Sequence, residues 1–269
     1  DLADKTRRGL RGRVEQGKSG GGKCFGYDVV MNGEERGDRA INEAEASIVR
    51  RIFEDYAAGK SPKAIALALN KEKVPGPTGK AWGQSTINGN RERGTGILNN
   101  ELYIGRLVWN RLRYLKDPET GKRISRPNPE EDWIIHDVPE LRIIEQDLWE
   151  RVKARQGNLR KLAPTLHRTN RPRYLLSNLL KCGECGGGYS MISQTSLGCS
   201  TARNKGTCSN RRTIKREELE QRVLGSLDTH LLDEDLSAVF CDAYAEHMNK
   251  LARERNAKRD GYLRELEQI

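Results

Sequence analysis

Long hydrophobic runs are what this chain most lacks. Its longest uninterrupted apolar stretch is Ala64 to Leu69, far short of the roughly 20 residues a membrane helix needs. The opening Asp1-Leu2-Ala3-Asp4-Lys5 has no apolar segment behind it, so no secretory signal starts the sequence. These absences exclude membrane and secreted readings and set the expectation of a cytoplasmic protein. Apolar residues are scarce, at 35% of 269, so the cores must be modest and separate. The length fits one large domain or two to three small ones. No internal repeat is present, and no nucleophile–base or acid–base constellation can be drawn, so no catalytic residue is expected. Asp1 is not an initiator Met, and the sequence is read as a fragment of something longer.

Charge is abundant instead, at 32% of residues with a net +10. It is unevenly placed. Residues 1–23 carry seven Lys/Arg and three acids; residues 151–173 carry eight Lys/Arg and residues 203–216 six, with no acid in either stretch. Those stretches hold +18, which leaves −8 for the rest of the chain. Basic segments on a mildly acidic scaffold form either a track for a polyanion or solvated linkers.

Four segments follow from the local patterns. Residues 1–23 read as a basic helix, with Leu2, Leu10 and Val14 as sparse apolar positions, and a Gly-rich exit at Gly17-Lys18-Ser19-Gly20-Gly21-Gly22. Residues 24–155 form the first domain. A short strand at Cys24–Val30 precedes a helix capped by Asn42, with Glu45 at the capping-box position and Ile48, Val49, Ile52, Phe53 and Tyr56 on one face. Gly59 ends that helix, and Ser61-Pro62 starts the next, which buries Ile65, Ala68 and Leu69. After the turn Val74–Gly79, a short third helix starts at Trp82-Gly83-Gln84-Ser85-Thr86-Ile87. This order is that of a helix-turn-helix unit, though packed helices and turns are also common outside binding domains. Trp109, Trp133 and Trp149 are expected as core or half-buried aromatics, and Pro118-Glu119-Thr120-Gly121 as a loop tip backed by Lys122, Arg123 and Arg126. Residues 156–173 are basic, contain Pro and lack periodicity, and are read as a linker. Residues 174–269 hold a second module and then helices, with Leu219, Val223 and Leu227, and later Tyr244, Met248, Leu251, Leu266 and Ile269 as apolar positions. The fold class is α+β.

Four of the six cysteines carry the strongest chemical signal. Cys182-x2-Cys185 is followed by Cys199 and Cys208. A Cys-x2-Cys knuckle gives a tetrahedral zinc ion two thiolates from one tight turn, and Gly183, Gly186, Gly187 and Gly188 suit that turn. The spacer to Cys199 suits a β-hairpin, so one structural zinc is expected; a pair of disulfides is disfavoured in a reducing compartment. Cys24 and Cys241 read as small hydrophobes. One match is rejected. Gly12-Arg13-Val14-Glu15-Gln16-Gly17-Lys18-Ser19 spells a P-loop, but the chemistry needs a strand before it and a helix after it, and here the order is inverted.

The residues together resemble the C-terminal region of large serine recombinases (serine integrases). Asp4-Lys5-Thr6-Arg7-Arg8-Gly9-Leu10 leading to Gly26-Tyr27 is similar to that family's domain entry. Trp82, Thr86-Ile87, Ile97-Leu98-Asn99-Asn100 and Tyr103-Ile104-Gly105 resemble its recombinase-domain signature, with an insertion over Asn88–Gly96. Cys182, Cys185, Cys199 and Cys208 followed by Asn210-Arg211-Arg212 resemble its zinc ribbon. The family's catalytic domain, with its nucleophilic serine, has no counterpart in the sequence. No catalysis is therefore expected of this fragment, and the parent implied is a site-specific serine recombinase of a phage or mobile element.

The resemblance implies sequence-specific binding of duplex DNA at attachment-site half-sites. The first helix, with Arg7, Arg8, Arg11 and then Lys18, would follow phosphates. Gln84, Ser85, Thr86, Asn88, Arg91 and Arg93 would face bases in a major groove. The linker, with Arg155, Arg160, Lys161, Arg168, Arg171 and Arg173, would cross a minor groove. Ser193, Gln194 and Thr195 would meet a second stretch of major groove, and Arg203 and Arg211 add further contacts. A coiled coil starting in the last helices and the family's catalytic domain would serve self-association of the full-length protein; a recombination directionality factor is a possible partner. The setting implied is the nucleoid of a bacterial host. A stand-alone helix-turn-helix/zinc-ribbon transcription regulator and an RNA-binding zinc protein are the competing readings.

Overall fold

The computed structural model describes residues 2–31, 37–162, 172–231 and 234–267. The architecture is α+β, in two compact units. The first comprises Asp1–Pro172 with Cys182–Gly188 and Cys199–Arg211; the second comprises Arg173–Lys181, Tyr189–Gly198 and Arg212–Ile269. Among the described residues, no helix is long and apolar enough to cross a membrane.

The first unit opens with α1 (Leu2–Glu15), whose Val14 is fully buried while Leu2 stays exposed. Gly12 to Glu15 are turns of this helix, so their amides are not arranged as a phosphate-binding loop. Arg13 fixes the Gly-rich exit by donating to the Ser19 carbonyl at 3.0 Å and to Asp38 at 2.6 Å. A two-stranded ribbon follows, β1 (Tyr27–Val29) against β2 (Arg39–Ile41), with Tyr27 opposite Ile41.

Local signals set the next two helices. In α2 (Glu43–Ala57) the Asn42 side chain accepts from the Glu45 amide at 3.1 Å. The expected reciprocal bond is not made: the Glu45 carboxylate accepts from the Gly26 amide at 2.7 Å, tying the helix start to β1. Ala46, Val49, Ile52, Phe53 and Tyr56 are buried, a 3.6-residue stripe. In α3 (Pro62–Lys71) Ser61 caps the Ala64 amide and Pro62 occupies the first helical position, where its missing N–H costs nothing. Ile65, Ala66 and Leu69 form its buried face. The turn before α4 (Gln84–Asn88) brings Gly76 so close to the Lys80 carbonyl that a side-chain carbon there would overlap it.

The unit continues through β3 (Arg106–Trp109), β4 (Leu112–Lys116), β5 (Arg123–Pro127), β6 (Ile134–Asp137) and α5 (Gln146–Leu162). β3 pairs with β6 and β4 with β5, each antiparallel and each a separate two-stranded sheet. Trp149 of α5 stacks on Phe53 with ring centroids 5.8 Å apart, Trp82 is fully buried edge-on to Phe25, and Trp109 and Trp133 are half-buried. Two tyrosines lock the centre: Tyr27 donates to the Leu141 carbonyl at 2.7 Å and Tyr103 to the Phe25 carbonyl at 2.9 Å. α5 runs on to Leu162, so residues 156–162 of the expected linker are helical.

The remaining elements are β7 (Tyr189–Met191), β8 (Ser196–Cys199), α6 (Ser200–Lys205), β9 (Thr213–Lys215), α7 (Arg216–Leu231) and α8 (Glu234–Glu267). The strands form one sheet in the order β7-β8-β9, with β8 and β9 antiparallel. α8 exposes Val239, Phe240, Tyr244, Met248 and Leu251.

Candidate zinc centre and nucleic-acid interface

The knuckle forms because two backbone hydrogen bonds fold it back on itself. The Cys182 amide donates to the Gly187 carbonyl and the Gly186 amide to the Cys182 carbonyl, both at 2.8 Å. A side-chain carbon at Gly187 would press on Thr201 and the Cys185 sulfur, which explains that glycine. β8 then delivers Cys199, which caps α6 through an Ala202 amide to Sγ bond of 3.4 Å. Cys208 arrives from the segment after α6.

The four Sγ atoms lie within 4.8 Å of one another, with Cys182–Cys208 at 3.9 Å and Cys185–Cys199 at 3.6 Å. Tetrahedral zinc at about 2.3 Å from each sulfur places the sulfurs about 3.8 Å apart, so the cage fits that ion. The electrostatics fit as well. The Cys185 amide directed at Cys182 holds its thiol down at about 6, and the Gly187 amide lowers Cys185. At Cys208 the Asn210 amide lowers the pKa, but burial and the three neighbouring sulfurs prevail and push it up to about 12. Four crowded thiols of this kind deprotonate together only around a cation.

In the sequence Asn210 is one residue of the ribbon motif with no role of its own. Its amide reaches the Cys208 sulfur and its side-chain Nδ2 the Cys182 sulfur, each at 3.4 Å, so it orients both ligands. Its place two residues after the last cysteine is the one signal that pointed to it.

The expected hairpin between Cys185 and Cys199 is β7–β8. Its tip carries Ser193, Gln194 and Thr195, all exposed, and is closed by the Ile192 amide to Ser196 carbonyl bond of 2.9 Å. In the first unit α4 is only five residues long. Gln84, Ser85 and Asn88 share its exposed face, Thr86 is half-buried, and Ile87 points into the core.

The insertion over Asn88–Gly96 is pinched off at its neck. Gly89 and Gly96 pack backbone on backbone, both at positive φ, and a side-chain carbon on either would overlap the other's strand. Asn90 and Thr95 pair across the neck. Ile87, Ile97 and Leu98 are thereby buried in the same core despite the inserted loop. Asn99, 3% exposed, seals the junction. Its Nδ2 donates to the Asn88 carbonyl at 2.7 Å and the Thr95 carbonyl at 2.8 Å, while its Oδ1 accepts from Lys153 at 3.1 Å and Gln156 at 3.2 Å. Burial, aided by the Arg91 charge, lowers the Lys153 ammonium to about 8. Arg91 is exposed and Arg93 half-buried on the loop so held.

Arg7, Arg8 and Arg11 are exposed along α1; Arg7 reaches Asn110 at 3.0 Å and Arg11 pairs with Glu15 at 2.8 Å. Lys18 lies 3.7 Å from Asp38. Arg155 is placed differently from the expectation for a linker residue. Its guanidinium caps α2, donating to the carbonyls of Tyr56, Gly59 at 2.6 Å and Lys60 at 2.9 Å, and it lies over the Tyr56 ring. Arg160 and Lys161 sit on the last turn of α5, Arg168 and Arg171 lie outside the described residues, and Arg173 is exposed. Arg203 and Arg211 are exposed, Arg211 donating to the Ala202 carbonyl at 2.9 Å.

A four-cysteine cage that fits zinc, and in sequence before it a helical segment with a short exposed helix, define a protein with a zinc-ribbon module. Comparison with known proteins narrows the class. Residues 43–158 match the Recombinase family model and residues 175–228 the recombinase zinc beta ribbon domain model. The chain is thus similar to these two recombinase domain models, in that order. A putative DNA recombinase of Bacillus subtilis (strain 168) is 30% identical over 189 residues, which cover 65% of this chain and 35% of the relative. The chain thus spans about a third of that relative's length. Two solved chains are similar at 20% identity and a TM-score of 0.39. One, from work on the sequence requirements of the Listeria innocua prophage attP site, is matched over 88% of this chain and 92% of its own. The other, from a crystal structure of an LSR–DNA complex, is matched over 92% of this chain and 77% of its own.

Proposed function

We propose that this chain binds duplex DNA site-specifically at attachment-site half-sites, as the C-terminal part of a phage or mobile-element serine integrase. The observation that carries this reading is the ordered pair of recombinase and recombinase zinc-ribbon domains. Two exposed polar surfaces suited to base edges support it: the Gln84, Ser85, Asn88 face of α4 and the Ser193–Thr195 hairpin tip. Arg91 and Arg93 lie on the loop that follows α4. Arg7, Arg8, Arg11 and Lys18, with the basic residues from Arg160 to Arg173 and Arg203 and Arg211, supply phosphate contacts. Arg155 is left out of this set, because α2 already occupies its guanidinium.

Phosphate contacts then give affinity and register, and base edges choose the site. One zinc ion held by Cys182, Cys185, Cys199 and Cys208 stiffens the fold around those four residues. The activity assigned to the parent is DNA integration and recombination, with self-association through α8 and a catalytic domain, control by a directionality factor, and a place on the bacterial nucleoid. The test is a binding selection by the whole chain from random duplexes. Enrichment of one sequence, bound with a steep salt dependence, is the expected result. Equal affinity for all duplexes, or preference for structured RNA, overturns the reading.

A further inference from the structure

The β4–β5 hairpin is the part of the first unit that its core explains least. It is a two-stranded sheet by itself, and its side chains are largely exposed on both faces, Tyr114 at 53% and Leu115 at 49%. Lone two-stranded ribbons are marginal in water. The charge pattern makes this one worse. Arg113 stands directly opposite Arg126, and Lys116 directly opposite Arg123, although like charges in that relation destabilise a ribbon. Among the described residues no ion pair relieves any of the four; Arg123 lies instead over the Tyr114 ring at 3.8 Å.

Directly opposed residues share a face, and the two cationic rungs lie three positions apart along the strand, an odd step. Arg113 and Arg126 therefore face one way, and Lys116 and Arg123 the other. The rungs are about 10 Å apart along the ribbon at about 3.3 Å per residue. A flat anionic surface would satisfy one face and leave the other uncompensated. A groove with anionic walls on both sides satisfies both.

We propose that the β4–β5 hairpin is a further duplex-contacting element, a ribbon that enters a DNA groove and meets phosphates on both walls. The major groove, about 12 Å wide, admits a two-stranded β-ribbon. The root of the hairpin continues the same charge. A cleft there of about 370 Å³ is lined by Arg39, Arg93, Arg106 and Arg111 against the single carboxylate of Glu101. The Nε atoms of Arg39 and Arg111 are buried there without a hydrogen-bond partner among the described residues. The proposal rests on the duplex binding proposed above, but it assigns a surface separate from α4 and the zinc hairpin.

The test is a salt series of affinities for a long mixed-sequence duplex, using the whole chain. Three proteins are compared: wild type, Lys116→Gln/Arg123→Gln, and the same pair combined with Arg113→Gln/Arg126→Gln. At about 0.9 per phosphate contact, the slope of log affinity against log salt should fall by about 1.8 in the double and about 3.6 in the quadruple variant. Removing like-charge rungs should leave the urea midpoint followed by tryptophan fluorescence unchanged or raised, so a lost slope is not lost folding. Were the quadruple variant to unfold, the tip-proximal double variant still decides. Slopes equal to wild type overturn the ribbon proposal while leaving duplex binding standing. No duplex binding by the wild type removes both.

Discussion

Replacing Asn99 with Ala should loosen the neck of the Gly89–Gly96 loop and destabilise the first unit. The side chain is almost fully buried, and its amide makes two donor and two acceptor hydrogen bonds, all at 2.7–3.2 Å. Three neutral bonds at about 1 kcal/mol each and one to an ammonium at about 1.5–3 kcal/mol put the loss at about 4.5–6 kcal/mol. That is a large fraction of the roughly 5–15 kcal/mol that holds a domain together. Trp82, Trp109, Trp133 and Trp149 are the four tryptophans of the chain and all belong to the first unit, so their fluorescence follows that unit alone. A urea titration read this way should show a lower midpoint with an unchanged slope. Asn99→Asp should be no better, because a carboxylate would face the Asn88 and Thr95 carbonyls with no proton to offer. A loss below about 1 kcal/mol for the Ala variant would refute the reasoning, since even one unsatisfied buried partner costs more than that.

Three other outcomes follow from the same geometry. Cys208→Ser should lose bound zinc, about one ion per chain by metal analysis, because three sulfurs do not complete a tetrahedral structural site; full retention of zinc would refute the ligand set. Lys153 should make stability pH-dependent in a particular direction. Its folded pKa near 8 lies below the unfolded value of about 10.4, so the unfolded state binds more protons between the two and stability gains from rising pH in that window. The difference in urea stability between wild type and Lys153→Met should therefore move in favour of wild type from pH 8 to pH 10, and a flat difference would contradict the burial argument. Gln84→Ala should change which duplexes are enriched in a selection while leaving affinity for mixed-sequence DNA within about twofold, as expected of a base contact rather than a phosphate contact; a uniform drop across all duplexes would contradict its place on the reading face.

Some of this was legible before the fold because the signals are local. Asn42, Ser61-Pro62 and the apolar stripe of α2 announce their helices within a single turn, and Cys182-x2-Cys185 announces a metal knuckle by spacing alone. What stayed hidden is non-local. Gly89 and Gly96 look like loop glycines until their backbones touch, and Asn99 looks like an ordinary polar residue until Lys153 and Gln156 arrive from α5. Glu45 sits where a capping box predicts, yet Gly26 claims its carboxylate from nineteen residues away. α5 continues past residue 155 through Gly157 and Asn158, residues of low helix propensity, and through Leu, Arg and Lys that carry no apolar stripe to reveal it. Arg155 shows the limit of reading charge from sequence: a basic residue in a basic stretch proves to be a helix cap.

The most direct measurement on the central claim is a selection of random duplexes by the whole zinc-loaded chain, followed by affinity for the selected site across a salt series. One enriched sequence, bound at least about a thousandfold more tightly than mixed-sequence DNA at physiological salt and with several phosphates' worth of salt dependence, is the result predicted. Binding that does not distinguish the selected duplex from any other, at any salt concentration, would contradict it.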